Sequence, residues 1–449
     1  MTMPREIDLD QVLGSWLEDA AGSHPVDYLD EVLEQTRRTE QRPAWSFPGR
    51  WLPFQGVLRP IVVAPSLWLL VLLAMLVVLV AALLVAGSMR HLPAPNGLAR
   101  PGLVALDADG HTAVMNADGS GRRLLTAGDT AAAADTSPVW SPDGTRLAFW
   151  RTTAGGNWAV VVARAEGTVV ANVAVHTTPG LNSLGGYAMG APSFLAWSPD
   201  SSHLVFSLYT GQLPGVWVLG SDGTGLAQLG DPALPASDPS WSGDGTRIVF
   251  HGGSCGSGAS GGSGGVCGDN GENGVYVMNA DGSNAHRVSR VNATGYDCST
   301  PQWQPGGELI AFNASPAGHM HIFVVRSDGT GEADISSVSA EAGTDDWIPR
   351  WSPDGTRIAF ERVTEPRTSG QIAVANPDGS GAVIPGGQPA AGTGGPMWSP
   401  DGRTISSLAD DGSGGSSGIL ILDLEGTNPP IVVPATGNSG GTSWQRLAP

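Results

Sequence analysis

The sequence predicts an all-β fold, a seven-bladed propeller of four-stranded antiparallel blades, and three observations predict it. The first is a repeat. WSPDGTRLAF at 140–149 returns as WSPDGTRIAF at 351–360, with weaker copies from Trp197, Trp241, Trp303 and Trp398 and a truncated one at Trp444. Successive tryptophans stand roughly 44 to 62 residues apart, close to the period of propeller repeats. The second is a companion module of apolar run, Asp-Gly turn and short strand, clearest in VYVMNADGS at 275–283. The third is composition: 64 glycines and 34 prolines suit a chain of many short strands and turns.

Each copy has a local reading. Trp and Ser end a strand, and Pro-Asp-Gly supplies the turn. Proline presets φ, Asp143 or Asp354 bonds nearby backbone, and Gly144 or Gly355 accepts positive φ. The TRLAF and TRIAF runs then alternate polar and apolar residues, as a half-buried strand does. Two hairpins per repeat make a four-stranded blade. The seven Trp modules and seven hairpin modules are out of phase, since the first hairpin module precedes Trp140 and none follows Trp444. Pairing the Trp444 strand with residues 103–126 in one blade closes a ring of seven and removes both sheet edges.

The WSPDGTRLAF and WSPDGTRIAF repeats, with their NADGSG-type turns, resemble the WD40-like PD40 repeats of TolB-type β-propellers. The resemblance covers residue 102 to the end. It implies six blades as the alternative count. It also brings in a rival class, because some propellers of this type are sugar lyases or are joined to peptidases. The separate N-terminal α/β domain of TolB has no counterpart here, so TolB's partner contacts do not carry over.

The N-terminal hundred residues read differently. Leu9, Val12, Leu13, Trp16 and Leu17 form an amphipathic helical face, and Val26, Leu29, Val32 and Leu33 form a second one after Pro25. Residues 1–42 are thus expected to be a cytosolic helical hairpin, lying on itself or docking a cytosolic partner. It holds no cysteine, which excludes a cysteine-based zinc element. Residues 43–65 are a basic, aromatic juxtamembrane segment. Residues 66–88 contain an uncharged apolar run, 67–86, long enough to cross a bilayer as one helix. Arg37, Arg38, Arg42, Arg50 and Arg59 before it outnumber Arg90 and Arg100 after it. That bias puts the N-terminus inside and the propeller, 102–449, outside the cytoplasm after a short linker at 89–101. The net charge of −19 argues against a nucleic-acid partner.

All three cysteines fall in the repeats. Cys255 and Cys267 bracket a Gly/Ser-rich loop whose base a disulfide would tether, in keeping with an oxidising compartment; Cys298 is the alternative partner. Catalytic patterns are sparse. GASGG at 258–262 and GGSSG at 414–418 match GxSxG only formally, without strand-to-helix context. His319 and His321 alternate onto one strand face as candidate metal ligands, with plain surface histidines as the default. Asp107 and Asp109 suggest a calcium loop but lack the rest of its ligand series. No cofactor is expected. The expected function is a membrane-anchored extracytoplasmic module that binds or senses a protein, peptide or glycan, with the tail as a relay to a cytosolic partner. An envelope enzyme and a passive scaffold are the alternatives.

Overall fold

The structure, a computed structural model, describes residues 97–447 apart from 127–133, 153–156, 176–194, 210–213, 254, 257–265, 268–272, 292–299, 316–318, 337–342, 365–369, 387–394, 411–415 and 435–440. The expected helical tail and the apolar run at 67–86 lie outside the described residues. Among those described, no helix is long and apolar enough to cross a membrane.

Seven antiparallel sheets follow one another along the chain. Blade 1 shows the pattern, with strands Asp135–Trp140, Arg146–Thr152, Trp158–Arg164 and Val169–Val175. Blades 2, 3, 4 and 6 repeat it, opening with strands that end at Trp197, Trp241, Trp303 and Trp398. Blade 5 has three strands, Thr344–Trp351, Ile358–Thr364 and Gly370–Ala375, and a single outer bridge, Val374 to Val383. Pro385 follows that bridge and cannot donate the next ladder bond. Blade 7 joins the last strand, Thr442–Leu447, to Arg100–Ala108, His111–Met115 and Arg123–Leu124. Trp444 pairs with Val104, so the ring has seven blades, not six, and closes where the module count placed the closure.

Seven apolar clusters hold the ring, one between each pair of neighbouring blades. Phe149 packs toward blade 7, while its neighbour Trp150 packs toward Phe206 of blade 2. The middle strands are therefore buried on both faces. This corrects the half-buried alternation expected of TRLAF: in the strand Arg146–Thr152 only the two end residues are half-buried, and Leu147 to Arg151 are all buried. A blade between two others has no solvent face, so its middle strands read as apolar runs.

Four of the seven repeat tryptophans fasten neighbouring blades through the indole N–H, whereas that of Trp303 donates to Gly307 O of its own blade. The indole N–H of Trp197 donates to Val139 O of blade 1, that of Trp351 to Gln302 O of blade 4, and that of Trp398 to Arg350 O of blade 5. The arginine after the PDGT or GDGT turn of blades 1, 3 and 5 reaches the other way. Arg146, Arg247 and Arg357 lie over the rings of Trp197, Trp303 and Trp398, 5.5, 4.7 and 4.9 Å from their centroids. The turn aspartates act within their own turns, as expected. Asp354 accepts from the Ser352 hydroxyl and from Thr356 N–H at 2.6 and 3.1 Å. Asp143 does the same with Ser141 and Thr145.

Candidate functional site: the central channel and its loop-side mouth

Strand polarity gives the ring two unlike rims. The first strand of every blade runs toward its repeat tryptophan, and the tight Pro-Asp-Gly and Asp-Gly turns share that rim, the turn rim. The connections from second to third strand, and from one blade to the next, leave from the opposite rim, the loop rim.

The first strands surround a central channel with a cavity of about 230 Å³. Each blade contributes: Ser137, Leu195, Pro239, Gln302, Arg350, Met397 and Thr442 line it in ring order. Arg350 is its one charged lining residue among those described.

A repeated distortion shapes this wall. Register shifts between Thr136 and Val139, Ser237 and Ser240, and Trp347 and Arg350 mark bulges in three first strands. Within them Ser137, Asp238 and Ile348 take positive φ of 55, 51 and 52°, each just before a proline. Gly395, also before a proline, and Gly441 hold the same place three residues before Trp398 and Trp444, with φ of 72 and 126°. Non-glycine residues adopt this region only where the surroundings enforce it. Here the preceding blade does so. Ser137 N–H donates to Asp107 Oδ2 at 3.2 Å, and Asp238 N–H to Ser207 Oγ at 3.3 Å. Below two of the bulges lie buried paired charges: Arg151 grips Asp135 at 2.6 and 3.0 Å, and Arg362 grips Asp346 at 2.8 and 2.7 Å.

Asp238 and Arg350 belong to the bulges of blades 3 and 5, either side of Gln302. Burial pushes the Asp238 carboxyl up to about 6, against the Ser237 hydroxyl and the Arg350 charge that favour its ionised form. Burial likewise pulls Arg350 down to about 10, opposed by Asp238. His251, on the second strand of blade 3, is fully buried, and burial holds it down at about 4, so it is neutral at pH 7.

His319 and His321 do not converge: the first sits 3.3 Å from Asp345 and the second 2.7 Å from Asp334. Among the described residues no three His, Cys, Asp or Glu side chains are grouped to hold a metal. Asp107 braces the Ser137 bulge, and Asp109 is the positive-φ residue of the turn into His111–Met115, which fits the turn reading over a calcium loop. Ser416 opens a plain strand, Ser416–Asp423, and Ser260 lies outside the described residues. Cys255 and Cys267 are direct partners in a small two-stranded ladder inserted in blade 3; Cys298 lies outside the described residues. The bulges, and Asp238 and Arg350 within them, were not read from the sequence. The signal for them was present as a proline two residues before Trp140, Trp241, Trp303, Trp351 and Trp398.

No family model matches the chain. A TolB homologue of Chlorobium luteolum is 29% identical over 160 residues, covering 35% of this chain and 31% of that protein. An uncharacterised protein of Agrobacterium fabrum is 27% identical over 145 residues, covering 32% of this chain and 42% of that one. The matches thus span less than half the length of either curated relative. Among solved structures, a puromycin hydrolase aligns with a TM-score of 0.51 at 15% identity, over 78% of this chain and 54% of that one. An oligogalacturonate lyase in complex with manganese aligns with a TM-score of 0.50 at 13% identity, over 76% and 86%. These structural likenesses speak for the propeller fold alone. Repeat chemistry, ring closure and the two partial sequence likenesses together make the chain a seven-bladed β-propeller similar to those of the TolB type.

Proposed function

We propose that this chain is a membrane-anchored, extracytoplasmic propeller that binds a protein, peptide or glycan at the loop-side mouth of its channel. The tail passes the bound state to a cytosolic partner. The observation that carries the reading is the channel wall. Among the described residues it is built from Ser, Thr, Gln, Pro, Met and aliphatic side chains, with Arg350 as the one charge. A channel enzyme acting by acid–base or metal chemistry would need acids and histidines converging there. The strained bulges at Ser137, Asp238 and Ile348 support the same reading, because they aim first-strand residues at the channel at a conformational cost.

The test is site-specific crosslinking in cells. A photo-crosslinking amino acid replaces Gln302 in the channel or, as control, Asp281 on the turn rim of blade 3. Adducts at 302 that are absent at 281 and are lost when Arg350→Ala is added support the reading. Equal adducts at both sites, or none at 302, defeat it. Orientation has its own test: protease added outside intact cells should reach the ring and spare the tail.

A further inference from the structure

The outer edge of the ring is not uniform. Just after the third-to-fourth-strand turn, each blade presents two or three residues at the turn rim. Blade 5 shows Val383 and Ile384 there, 57% and 41% exposed, and blade 6 shows Ile431 and Val432, 39% and 40% exposed. Blade 7 shows Leu124, blade 1 Val169 and Val170, and blade 2 Leu226, all exposed. Blades 3 and 4 carry Ala285 and His286, and Glu332 and Ala333, at the same place. The exposed large apolar side chains among the described residues lie only on this five-blade arc or on the entering chain, at Leu98.

The chain joins the ring on that rim and in that arc. Gly97 N–H donates to Pro353 O of blade 5 at 2.9 Å, and Ala99 N–H to Pro400 O of blade 6 at 2.8 Å. Arg446 of blade 7 donates to Gly97 O at 2.9 Å. Only residues 87–96 separate Gly97 from the apolar run 67–86. Ten residues reach at most about 35 Å. A scattered exposed leucine is ordinary on any protein surface, but a one-sided arc of them on a short tether is not.

We propose that the turn-rim arc of blades 5, 6, 7, 1 and 2 is a bilayer-contact surface, which rests on the interface of the membrane that anchors the chain. This builds on the anchoring reading above. The lipid it fits is zwitterionic. Asp118, Asp222 and Asp378 stand on the adjoining turns. Hydrogen bonds from the Ser120, Thr224 and Ser380 hydroxyls and backbone N–H groups hold their carboxyls below the ordinary range, so they stay ionised and oppose an anionic surface. Contact on this rim leaves the loop rim and its channel mouth free for a ligand.

The experiment places the full chain in phosphatidylcholine vesicles containing a phosphatidylcholine with a photoreactive acyl chain. After irradiation, labelled peptides are mapped by mass spectrometry. Peptides with Val383, Ile431, Leu124 and Val169 should be labelled roughly fivefold more than those with His286 or Ala333, as expected of side chains seated in an interface. Val383→Asp with Val432→Asp alters exposed positions only. It should cut labelling of blades 5 and 6 roughly fivefold with no change in Tm. Replacing part of the lipid by phosphatidylglycerol should lower rim labelling. Equal labelling of all seven blades, or none on the ring, overturns the proposal, as does labelling unchanged by the double substitution. A carbonate wash of parallel samples reports the anchor separately. A chain that resists the wash with an unlabelled rim refutes the rim contact and keeps the anchor. A chain that is washed off after its rim was labelled keeps the rim contact and refutes the anchor.

Discussion

At the scale of single residues, Gly144 shows what the repeat motif is for. Its φ is +68°, and a Cβ built there would lie 1.9 Å from Arg446 O on the closing strand of blade 7. The glycine is needed twice, once for the turn and once so that the neighbouring blade can approach. Gly225 separates the two needs: its φ is +69°, with nothing within 4 Å of an added Cβ. Gly225→Ala should cost about 1 kcal/mol from backbone strain alone. Gly144→Ala should cost about 2–4 kcal/mol, because overpacking adds to the strain. Chemical denaturation of the two variants checks this; equal losses would remove the close-approach role.

Two titratable groups at this scale, the half-buried Asp238 and the fully buried His251, pull stability in opposite directions with pH. Asp238 has a folded value near 6 against an ordinary 3.8. Its raised value means that the folded state holds the proton more tightly, so its contribution is full below about 3.8 and is lost as pH rises through 6. His251 has a folded value near 4 against 6.5. Its depressed value means that the unfolded state takes the proton first, so stability is lost as pH falls from 6.5 toward 4. The windows overlap and the two trends offset each other in the natural chain. Asp238→Asn should therefore lose stability on going from pH 6.5 to 4 more steeply than the parent, and His251→Gln should lose less, each by roughly 2–3 kcal/mol. Urea titrations at the two pH values decide it, and parallel profiles for all three proteins would refute the assignment.

At the scale of elements, what could be read from the sequence divides by how local its cause is. The turns were legible because Pro, Asp and Gly act within four residues, and Asp143 and Asp354 do in the structure what their spacing implied. The middle strands were misread in part: whether Ala148 and Phe149 face solvent depends on blades 2 and 7, not on their own neighbours. The first-strand bulges went unread for the same reason. Ser137 holds its positive φ through Asp107, a residue of another blade. The blade 3 insert is a local case again. Cys255 and Cys267 are opposed residues in an antiparallel ladder, whose Cα spacing of about 4.5–5.5 Å lies within the range a disulfide spans. Non-reducing peptide mapping of the protein should recover the Cys255–Cys267 link. A peptide joining Cys298 to either one, or three free thiols, would show the ladder to be held by its backbone alone.

At the scale of the whole molecule, the last six strand residues complete the ring, and little else could replace them. Thr442–Leu447 pairs with Arg100–Ala108 across the full chain length. It also reaches both neighbouring blades. The Trp444 indole donates to Ser406 Oγ of blade 6 at 2.8 Å, and Gln445 Nε2 to Gly144 O of blade 1 at 2.7 Å, while Ser443 Oγ accepts from Trp140 N–H at 2.9 Å. Without the strand, Arg100–Ala108 becomes a bare edge, the cluster around Trp444 loses its largest side chain, and the channel loses Thr442. Deleting residues 440–449 should thus act on blades 6, 7 and 1 together. The expected result is a fall in Tm of at least about 10 °C, with loss of cooperativity rather than a parallel shift, since removing a core tryptophan alone costs about 3–5 kcal/mol. Trp444→Ala in the intact chain keeps the backbone pairing and should give the smaller, still cooperative loss. Thermal unfolding of both variants in detergent separates the two effects, and a deletion that melts like the parent would mean that the ring is held by its blade faces and does not need its closing strand.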